Sequence, residues 1–380
     1  MSVPFVDMAR LHAETRDEML AAFARVLDSG AFVQGHEVEA FEREFASRSG
    51  AGYALAVSNG TAALHLALLA CGIGSGDEVI TVSNTFIATA EAISMTGATP
   101  VFADIDPETM NIDPAQLLRR VTPRTRAVIA VHLFGRLAPM AELRAICDRH
   151  GLKLIEDACQ AHGAMLDGRH AGTIGDAGCL SFYPTKNLGT VGEGGMLLTD
   201  DPAIATRVAS LRNHGQTGKH VHVEPGYNYR MPELQAAALR VLLPHLEEWN
   251  VARIAAADAY RQALSDTSVT TPAASAEGGH VFHLYVVRTR RRAGLQRFLQ
   301  ERGVATAIHY PTAIHLQPAY ADAGSGPGSL LQTEQAVREI LSLPMHPHIT
   351  SAEIAEVARA VRDFDQISST AAGAAAAGGQ

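Results

Sequence analysis

The sequence is poor in the features that mark disulfide-linked, metal-binding and membrane-spanning proteins. It has four cysteines in 380 residues. None has the paired spacing of a disulfide framework or a zinc site, so we expect all four to be reduced. No uncharged apolar run reaches the about 20 residues that a transmembrane helix needs. The N-terminus lacks the basic and apolar regions of a secretory signal. These absences predict a cytoplasmic protein.

Positive charge is also scarce. The chain has 31 Lys and Arg against 40 Asp and Glu, which gives a formal net charge of −9. The one dense basic cluster, residues 288–292, is expected on a solvated turn, so neither a nucleic acid nor a membrane is predicted as a partner. Apolar residues make up 47% and charged residues 19% of the chain, a composition typical of a soluble globular enzyme.

Two histidine pairs invite a metal hypothesis. His220 and His222 alternate on one predicted strand, and His346 and His348 flank a proline. No Cys, His or Asp cluster completes either pair, and exposed loop histidines are common. We therefore predict no metal site.

Strands and helices alternate over residues 53–157. This order is typical of a mostly parallel sheet with helices on both faces. The predicted fold class is α/β: a three-layer, mostly parallel sheet in a large domain, followed by a smaller C-terminal α+β domain.

The C-terminal domain is predicted to follow a long helix over residues 232–260. Its expected elements are strands at 281–288 and 305–309 and helices at 295–302 and 352–364. Residues 1–240 are then the large domain and 241–367 the small domain. Residues 368–380, mostly Ala and Gly without periodicity, are expected to be a disordered tail.

A short apolar strand at residues 53–57 runs into the small-residue turn Ser58-Asn59-Gly60-Thr61 and then a helix. Free backbone N–H groups and the positive end of a helix macrodipole suit a phosphate. Many strand–helix turns share this composition without binding anything. The segment does not match a dinucleotide fingerprint, because the glycine-rich run at 72–76 follows a helix rather than a strand.

Lys186 and Asp157 are the residues around which the rest of the sequence is organised. Lys186 follows a hydroxyl and two aromatic residues and precedes a glycine-rich run, while Asp157 closes an apolar strand. The two side chains could form a structural ion pair. They are also the two groups that pyridoxal phosphate (PLP) needs, a Schiff-base lysine and an acid that keeps the pyridine nitrogen protonated.

Ten segments in order extend this pattern over most of the chain. They are SGAFVQG (29–35), SNGTAALHLAL (58–68), TFIATA (85–90), EDACQAHG (156–163), SFYPTKN (181–187), GEGG (192–195), LRNHG (211–215), GYNYRM (226–231), HYP (309–311) and HLQPAY (315–320). Together they resemble the nucleotide-sugar aminotransferases of the DegT/DnrJ/StrS type, in the PLP fold-type I (aspartate aminotransferase-like) superfamily. The resemblance runs from about Pro4 to about Pro347 and makes the large domain a PLP-binding domain.

The resemblance implies roles around the cofactor ring. Lys186 is similar to the Schiff-base lysine that also moves a proton between the substrate and cofactor carbons. Asp157 is similar to the partner of the pyridine nitrogen, and Gln160 to the residue that hydrogen-bonds the cofactor O3′. Phe86 resembles the aromatic residue that stacks on the ring.

At the cofactor phosphate, the resemblance implies backbone contacts from Gly60, Thr61 and Ala62 and a hydroxyl contact from Ser181. Asn228 resembles a phosphate ligand supplied by the neighbouring subunit, which implies a homodimer with shared active sites.

At the substrate, the resemblance implies contacts from His309, Tyr310 and His315. Tyr183 lies close to Lys186 in sequence, and Arg230, Arg212 or Lys219 could supply charge for a diphosphate. The segment around Tyr227 is more similar to family members acting at the sugar C4, whereas His309-Tyr-Pro is similar to members acting at C3.

The predicted function is transfer of an amino group from an amino acid, L-glutamate by expectation, to the keto group of a nucleoside-diphosphate-linked keto-(deoxy)sugar. Alternatives are an aminotransferase acting on an inosose-like cyclic ketone, a PLP sugar dehydratase and a non-catalytic regulatory protein. Related dehydratases lack the lysine at the matching position, so Lys186 disfavours that alternative. The sequence leaves the nucleotide, the carbon aminated and the stereochemistry open.

Overall fold

A computed structural model describes residues 2–276 and 278–377 of the chain. Its helices are α1 Met8–Ala13, α2 Arg16–Ser29, α3 His36–Ser49, α4 Gly60–Ala70, α5 Ala88–Met95, α6 Pro114–Leu118, α7 Met140–His150, α8 Pro202–Leu211, α9 Glu233–Leu242, α10 Leu246–Ala263, α11 Arg292–Glu301, α12 Leu331–Glu339 and α13 Ser351–Ala377. Among the described helices, none combines the length and the apolar character that crossing a bilayer requires.

The strands are β1 Tyr53–Val57, β2 Glu78–Val82, β3 Thr99–Ala103, β4 Thr125–Val131, β5 Lys153–Asp157, β6 Met165–Leu166, β7 Arg169–His170, β8 Ala177–Ser181, β9 Gly195–Thr199, β10 Gln216–Gly218, β11 Val221–His222, β12 Tyr285–Arg288 and β13 Ile340–Leu343. Seven of them form one sheet in the order β1-β9-β8-β5-β4-β2-β3. All its neighbours are parallel except β9, which runs antiparallel to β1 and β8. The predicted α/β class is confirmed.

The sheet is buried on both faces, which explains why its strands read as apolar runs. Every residue of β2 and of β9 is buried, as expected where helices cover both sides of parallel strands. These segments therefore lack the alternation of buried and exposed residues that is typical of a sheet with one face in solvent.

One edge of this sheet gathers the predicted site. β5 ends at Asp157, β8 ends at Ser181, and β1 ends at Val57 just before helix α4. Val57 and Ser181 both pair with Gly195, the first residue of β9. Ligands of open α/β sheets collect at the carboxyl ends of the strands, and that is the edge these residues share.

In the C-terminal region the strand prediction was partly wrong. Strand β12 pairs antiparallel with β13, a segment that is not among the predicted strands. All four β13 residues are buried, so this run takes the place beside β12. Residues 305–309, predicted as a strand, make only the isolated bridge of Ala307 to Ser342.

Two helix predictions also need correction. The long helix over 232–260 is broken by a 3-10 turn at Leu243–His245, where Pro244 lacks the N–H that a continuous helix requires. Helix α13 continues to Ala377, through residues predicted as disordered, because alanine has the highest intrinsic helix propensity. Residues 378–380 of that predicted tail lie outside the described residues.

Candidate active site

A cavity of about 740 Å³ opens at the carboxyl edge of the sheet. Of the residues predicted for the site, it brings together Gly60, Thr61, Ala62, Phe86, Asp157, Gln160, Ser181, Tyr183, Lys186, His309 and Tyr310. They come from the N-terminus of α4, the loop before α5, the ends of β5 and β8, and the C-terminal region. Residues far apart in sequence therefore share one cavity.

Lys186 lies on the loop between β8 and β9. Phe182, which is fully buried, packs edge-on against Phe41 and Phe45 and anchors this loop to the core. The Lys186 N–H donates to the carbonyl of Tyr183 at 2.9 Å, which closes a tight turn. The turn fixes where the lysine side chain leaves the backbone.

Burial lowers the pKa of Lys186 below its ordinary value, and the nearby Cys159 and Asp157 offset only part of that effect. A lower pKa leaves more of the amine neutral at a given pH. The neutral amine is the form that attacks a carbonyl, so the environment favours the nucleophilic state.

Asp157 is held by groups other than Lys186. The carboxylate is only 7% exposed. Its Oδ2 accepts from the Thr89 hydroxyl at 2.7 Å and its Oδ1 from the Cys159 N–H at 3.3 Å. These partners disfavour the structural ion-pair hypothesis and hold the acid at the cavity wall.

The preceding residue, Glu156, faces the opposite side of β5 and is fully buried. It accepts from His132 Nε2 at 2.8 Å and from the N–H groups of Gly172, Ile174 and Gly175. Burial alone raises the pKa of Glu156, but these hydrogen bonds lower it by more, so the net shift is downward. The two adjacent carboxylates therefore differ in their surroundings: Asp157 lines the cavity, whereas Glu156 holds buried groups of the fold together.

Gln160 has its amide orientation set by the backbone. Its Oε1 accepts from the N–H of Phe134 at 2.7 Å, a residue in the left-handed region at φ 61°. The Nε2 atom is therefore the donor end of the amide, and it donates to the hydroxyl of Tyr310 at 3.3 Å. A donor at this place suits the phenolic O3′ of the cofactor.

The N-terminus of α4 has the geometry of a phosphate cradle. Asn59 Oδ1 accepts from the Ala62 N–H at 2.8 Å, and the Ala63 N–H bonds the Asn59 carbonyl. The N–H groups of Gly60 and Thr61 are left without a partner among the described residues. A Cβ at position 60 would lie 2.8 Å from the Ser181 Cβ, so glycine is required for this close approach.

Aromatic residues form the outer part of the cavity. Phe86 is 53% exposed and its ring centre lies 5.6 Å from that of Tyr310, which leaves a ring face available for stacking. Tyr183 is 47% exposed. His309 Nδ1 lies 2.8 Å from the Ser342 hydroxyl, and burial, with the charge of Lys186, lowers the pKa of His309 to about 4.

The structure does not bring three predicted residues to the cavity. His315 is buried, with Nδ1 2.7 Å from the Ser83 hydroxyl and Nε2 3.4 Å from Glu334. Two polar partners thus hold it in the interior, and the substrate contact expected for it stays a prediction. Asn228 and Arg230 bond to each other at 3.0 Å and do not line the cavity of their own chain.

Comparison with known proteins agrees with this geometry. The DegT/DnrJ/EryC1/StrS aminotransferase family matches residues 13–362. The chain belongs to this family. It is 47% identical to the erythromycin biosynthesis sensory transduction protein EryC1 of Saccharopolyspora erythraea, over 92% of this chain and 96% of the relative. It is 45% identical to the dTDP-3-amino-3,4,6-trideoxy-alpha-D-glucose transaminase of Streptomyces venezuelae, over 95% and 96%.

A solved structure shows the same architecture. The crystal structure of S. venezuelae DesV in complex with a ketimine intermediate superimposes with a TM-score of 0.94 and 45% identity, over 96% of this chain and 98% of that one. The predicted family, fold type and PLP cofactor are confirmed by these comparisons.

The residues present fit PLP, which supplies an electron sink for carbanion chemistry when bound. In this aminotransferase the α4 cradle and Ser181 would hold the phosphate, and Asp157 would hold the ring nitrogen. Gln160 Nε2 would donate to O3′, and Phe86 would cover a ring face. All of these residues line the cavity.

Some cavity residues were missed at the sequence level. Thr89 binds Asp157, and Glu193 and His283 line the cavity. Thr89 and Glu193 lie inside the segments TFIATA and GEGG, so the motifs contained a signal for them. His283 lies in none of the ten segments, and only the tertiary structure shows that it lines the cavity.

Proposed function

We propose that this aminotransferase transfers the amino group of L-glutamate to the C3 keto group of a nucleoside-diphosphate-linked keto-deoxysugar. The observation that carries the proposal is the meeting of Lys186, Asp157 and Gln160 in one large cavity. The name of the S. venezuelae relative, a dTDP-3-amino sugar transaminase, supports C3 over C4 and thymidine as the nucleoside.

The chain's own residues then have distinct tasks. Lys186 would hold the cofactor and, once an incoming amine has displaced it, would move a proton at the substrate carbon. Asp157 would keep the pyridine nitrogen protonated, so that the bound cofactor can stabilise negative charge on the substrate carbon. Glutamate leaves as its keto acid in the first half-reaction, and the ketone receives the amino group in the second, so no outside oxidant is needed.

The diphosphate of such a substrate needs positive charge that one chain does not provide. Among the described residues, Lys186 is the only lysine or arginine lining the cavity. Arg212 is bonded to Glu42 and to the Ala56 carbonyl, and Arg230 is bonded to Asn228 and Asn213. Lys219, between β10 and β11, has no ion pair with the described residues.

We therefore assign the missing cation to a homodimer in which the β10–β11 hairpin reaches the neighbouring site. Lys219 of the partner subunit would contact the diphosphate, and Asn228 of the partner subunit the cofactor phosphate. We place this dimer in the cytoplasm, where nucleotide-linked sugars are the expected substrates.

The first experiment is the absorbance spectrum of the PLP-loaded protein before and after L-glutamate. The band of the cofactor joined to Lys186 should give way to that of the amine form, and a dTDP-linked 3-keto sugar should restore it. Lys186→Ala should show neither change. A spectrum that glutamate leaves unchanged would favour a sensory role, as the name of the S. erythraea relative suggests for that protein.

The choice of ketone is tested separately. Once glutamate has converted the cofactor to its amine form, the protein is offered a 3-keto sugar nucleotide, a 4-keto sugar nucleotide and an inosose. If only the 4-keto sugar or the inosose returns the cofactor to its original form, the C3 assignment is overturned while the transaminase chemistry stands.

Shared sites are tested by mixing two inactive variants. Lys186→Ala and Asn228→Ala dimers, unfolded together and refolded, should recover about a quarter of wild-type activity, because half of the random dimers carry one intact site. Each variant refolded alone is the control. No recovery from a mixture shown to contain mixed dimers would refute the sharing.

A further inference from the structure

A buried serine contacts one of the cavity histidines. Ser342 lies on strand β13 and is fully buried. Its hydroxyl lies 2.8 Å from Nδ1 of His309, a residue that lines the cavity. Ser342 also exchanges two backbone hydrogen bonds with Ala307, at 2.8 and 3.2 Å. The same residue of β13 therefore holds both the segment that carries His309 and one nitrogen of its ring.

The His309 ring is held from a second side by the N-terminal segment. Phe5 stacks on it, with the ring centres 5.7 Å apart and the planes inclined by 21°. The carbonyl of Phe5 accepts from the N–H of Met345 at 3.3 Å, just beyond β13. One face and one nitrogen of the ring are thus occupied by protein groups, and rotation of the ring would break both contacts.

The hydroxyl of Ser342 decides which nitrogen of His309 carries the proton. Within the described part of the chain, Nδ1 of His309 is the only hydrogen-bond partner of this hydroxyl. If Nδ1 carried the proton, the hydroxyl would accept it and its own hydrogen would be buried without an acceptor, which is costly. With Nδ1 unprotonated, the hydroxyl donates to its lone pair and both groups are satisfied. The proton of the neutral ring then lies on Nε2.

The second nitrogen, Nε2, is open to the cavity. It has no hydrogen-bond partner among the described residues, and it is not one of the unpartnered polar atoms sealed in the interior. The ring is neutral, because burial and the positive charge of Lys186 lower the pKa of His309 to about 4. A neutral imidazole protonated at Nε2 can donate a hydrogen bond there and has no lone pair there to accept a proton.

We infer that Ser342 is a positioning residue that fixes His309 as a hydrogen-bond donor, so that the Nε2–H group binds an oxygen of the keto sugar and takes no part in proton removal. Hydroxyl, keto and phosphate oxygens on this class of substrate are all acceptors. The inference rests on the proposed function for the identity of the substrate. It leaves proton transfer to Lys186.

The tautomer is measured directly in the PLP-loaded, full-length protein. Long-range ¹H–¹⁵N NMR correlations distinguish the two ring nitrogens of a histidine. The signals of His309, one of 17 histidines, are identified by their loss in His309→Gln. We expect Nε2 to be protonated and Nδ1 to have the shift of an unprotonated nitrogen. Protonation at Nδ1 would overturn the inference, and this measurement needs no change at Ser342.

Removal of the hydroxyl tests whether Ser342 sets the tautomer. Ser342→Ala should lower the ratio of the Nε2–H form to the Nδ1–H form about fivefold, the value of one neutral hydrogen bond. Ser342→Thr, which keeps a hydroxyl, should restore the ratio. An unchanged ratio in folded Ser342→Ala would refute the positioning role.

The chain offers a matched control for this substitution. Ser83→Ala removes a hydroxyl that lies 2.7 Å from Nδ1 of His315, and this second serine–histidine pair is buried and does not line the cavity. The tautomer of His309 should be unchanged in Ser83→Ala. An equal shift in both variants would show that the effect is not specific to Ser342 and would overturn the inference.

Kinetics separate a donor from a proton acceptor. His309→Leu should raise the KM of the keto sugar about tenfold. His309→Gln, whose amide keeps an N–H donor but cannot take up a proton, should stay within about threefold of wild type. The glutamate half-reaction should change in neither variant. A kcat of His309→Gln as low as that of Lys186→Ala would make His309 a proton carrier and overturn the donor role.

The two proposals fail in different ways. If no keto sugar restores the cofactor, the proposed function is overturned, and the tautomer result stands because that measurement uses no substrate. If the sugar reacts but His309 is protonated at Nδ1, the proposed function stands and the donor role is overturned.

Discussion

The floor and the rim of the cavity are built in different ways. The floor, defined by Asp157, Gln160 and Lys186, consists of side chains whose backbone or partners are fixed by one chain. The rim, defined by Phe86 and Tyr183, is about half exposed, and no arginine is among the described residues that line the cavity. The groups expected at the cofactor ring thus come from one chain, whereas the charge that a diphosphate needs is not found around its cavity.

The difference shows which groups the fold can order by itself. Among the floor residues, Asp157 ends strand β5. Gln160 and Lys186 lie on the loops that follow β5 and β8, and backbone hydrogen bonds fix both loops. Rim residues sit on loops and stay open, as expected of a surface that a second molecule covers. Substitutions in the floor should therefore alter the rate of chemistry, and substitutions assigned to the rim should alter substrate binding.

The largest effect is expected for Lys186→Ala. Loss of both the nucleophile and the proton carrier should lower kcat by about 10⁴-fold or more and abolish the absorbance band of the joined cofactor. The melting temperature should stay near the wild-type value, because the amine has no partner among the described residues. Lys153→Ala, outside the cavity, is the control, and equal loss of activity there would contradict the assignment.

The two adjacent carboxylates of β5 give the next contrast. Asp157→Asn should lower kcat by about 10²- to 10³-fold, the effect of losing a preorganised charge at the reacting group, with little change in stability. Glu156→Gln should do the reverse and cost about 3 kcal/mol of unfolding free energy, because the amide leaves buried N–H donors without a charged acceptor. Denaturant titrations and kcat measurements on both variants test this contrast between catalysis and stability.

The pH dependence of stability follows from Glu156. Its pKa is lowered in the folded state from an ordinary value of 4.5. The stabilisation it gives is therefore complete above pH 4.5 and is lost as the pH falls through the folded-state pKa. Wild-type protein should lose stability over that acid range more steeply than Glu156→Gln, as measured by urea midpoints. Parallel curves would show that other groups control acid unfolding.

A smaller effect is expected for Thr89→Val, which keeps the side-chain shape and removes the hydroxyl that donates to Asp157. The expected loss in kcat is about tenfold, the value of one hydrogen bond to a charged group. Thr85→Val is the matched control, because its hydroxyl contacts Thr89 at 3.2 Å and not the carboxylate. Equal effects of the two substitutions would refute a specific role for Thr89.

The smallest effect is expected at the rim. Lys219→Ala should raise the KM of the nucleotide sugar a few-fold, most strongly at low salt, because an exposed charge is screened by ions. The glutamate half-reaction should not change. A slower half-reaction with an unchanged KM would place Lys219 in the floor and dissolve the distinction between the two regions.

The sequence by itself determined the α/β class, the family, and the pairing of Lys186 with Asp157. These follow from local patterns. Apolar strands alternate with helices, and short segments that resemble the family occur along the chain in the family's order. Gln160 and the α4 phosphate cradle were also predictable, since each lies in a segment that carries its own turn or helix start.

Only the tertiary structure decided that His283, and not His315, lines the cavity of Lys186. His315 lies in a segment that resembles a substrate loop, yet Ser83 and Glu334 hold it in the interior. His283 lies in an ordinary strand pattern, yet it lines the cavity. Strand β13 was likewise not predictable from its own residues, because it forms by pairing with β12. Contacts between segments a hundred residues apart depend on packing, and packing leaves no periodic trace in the chain.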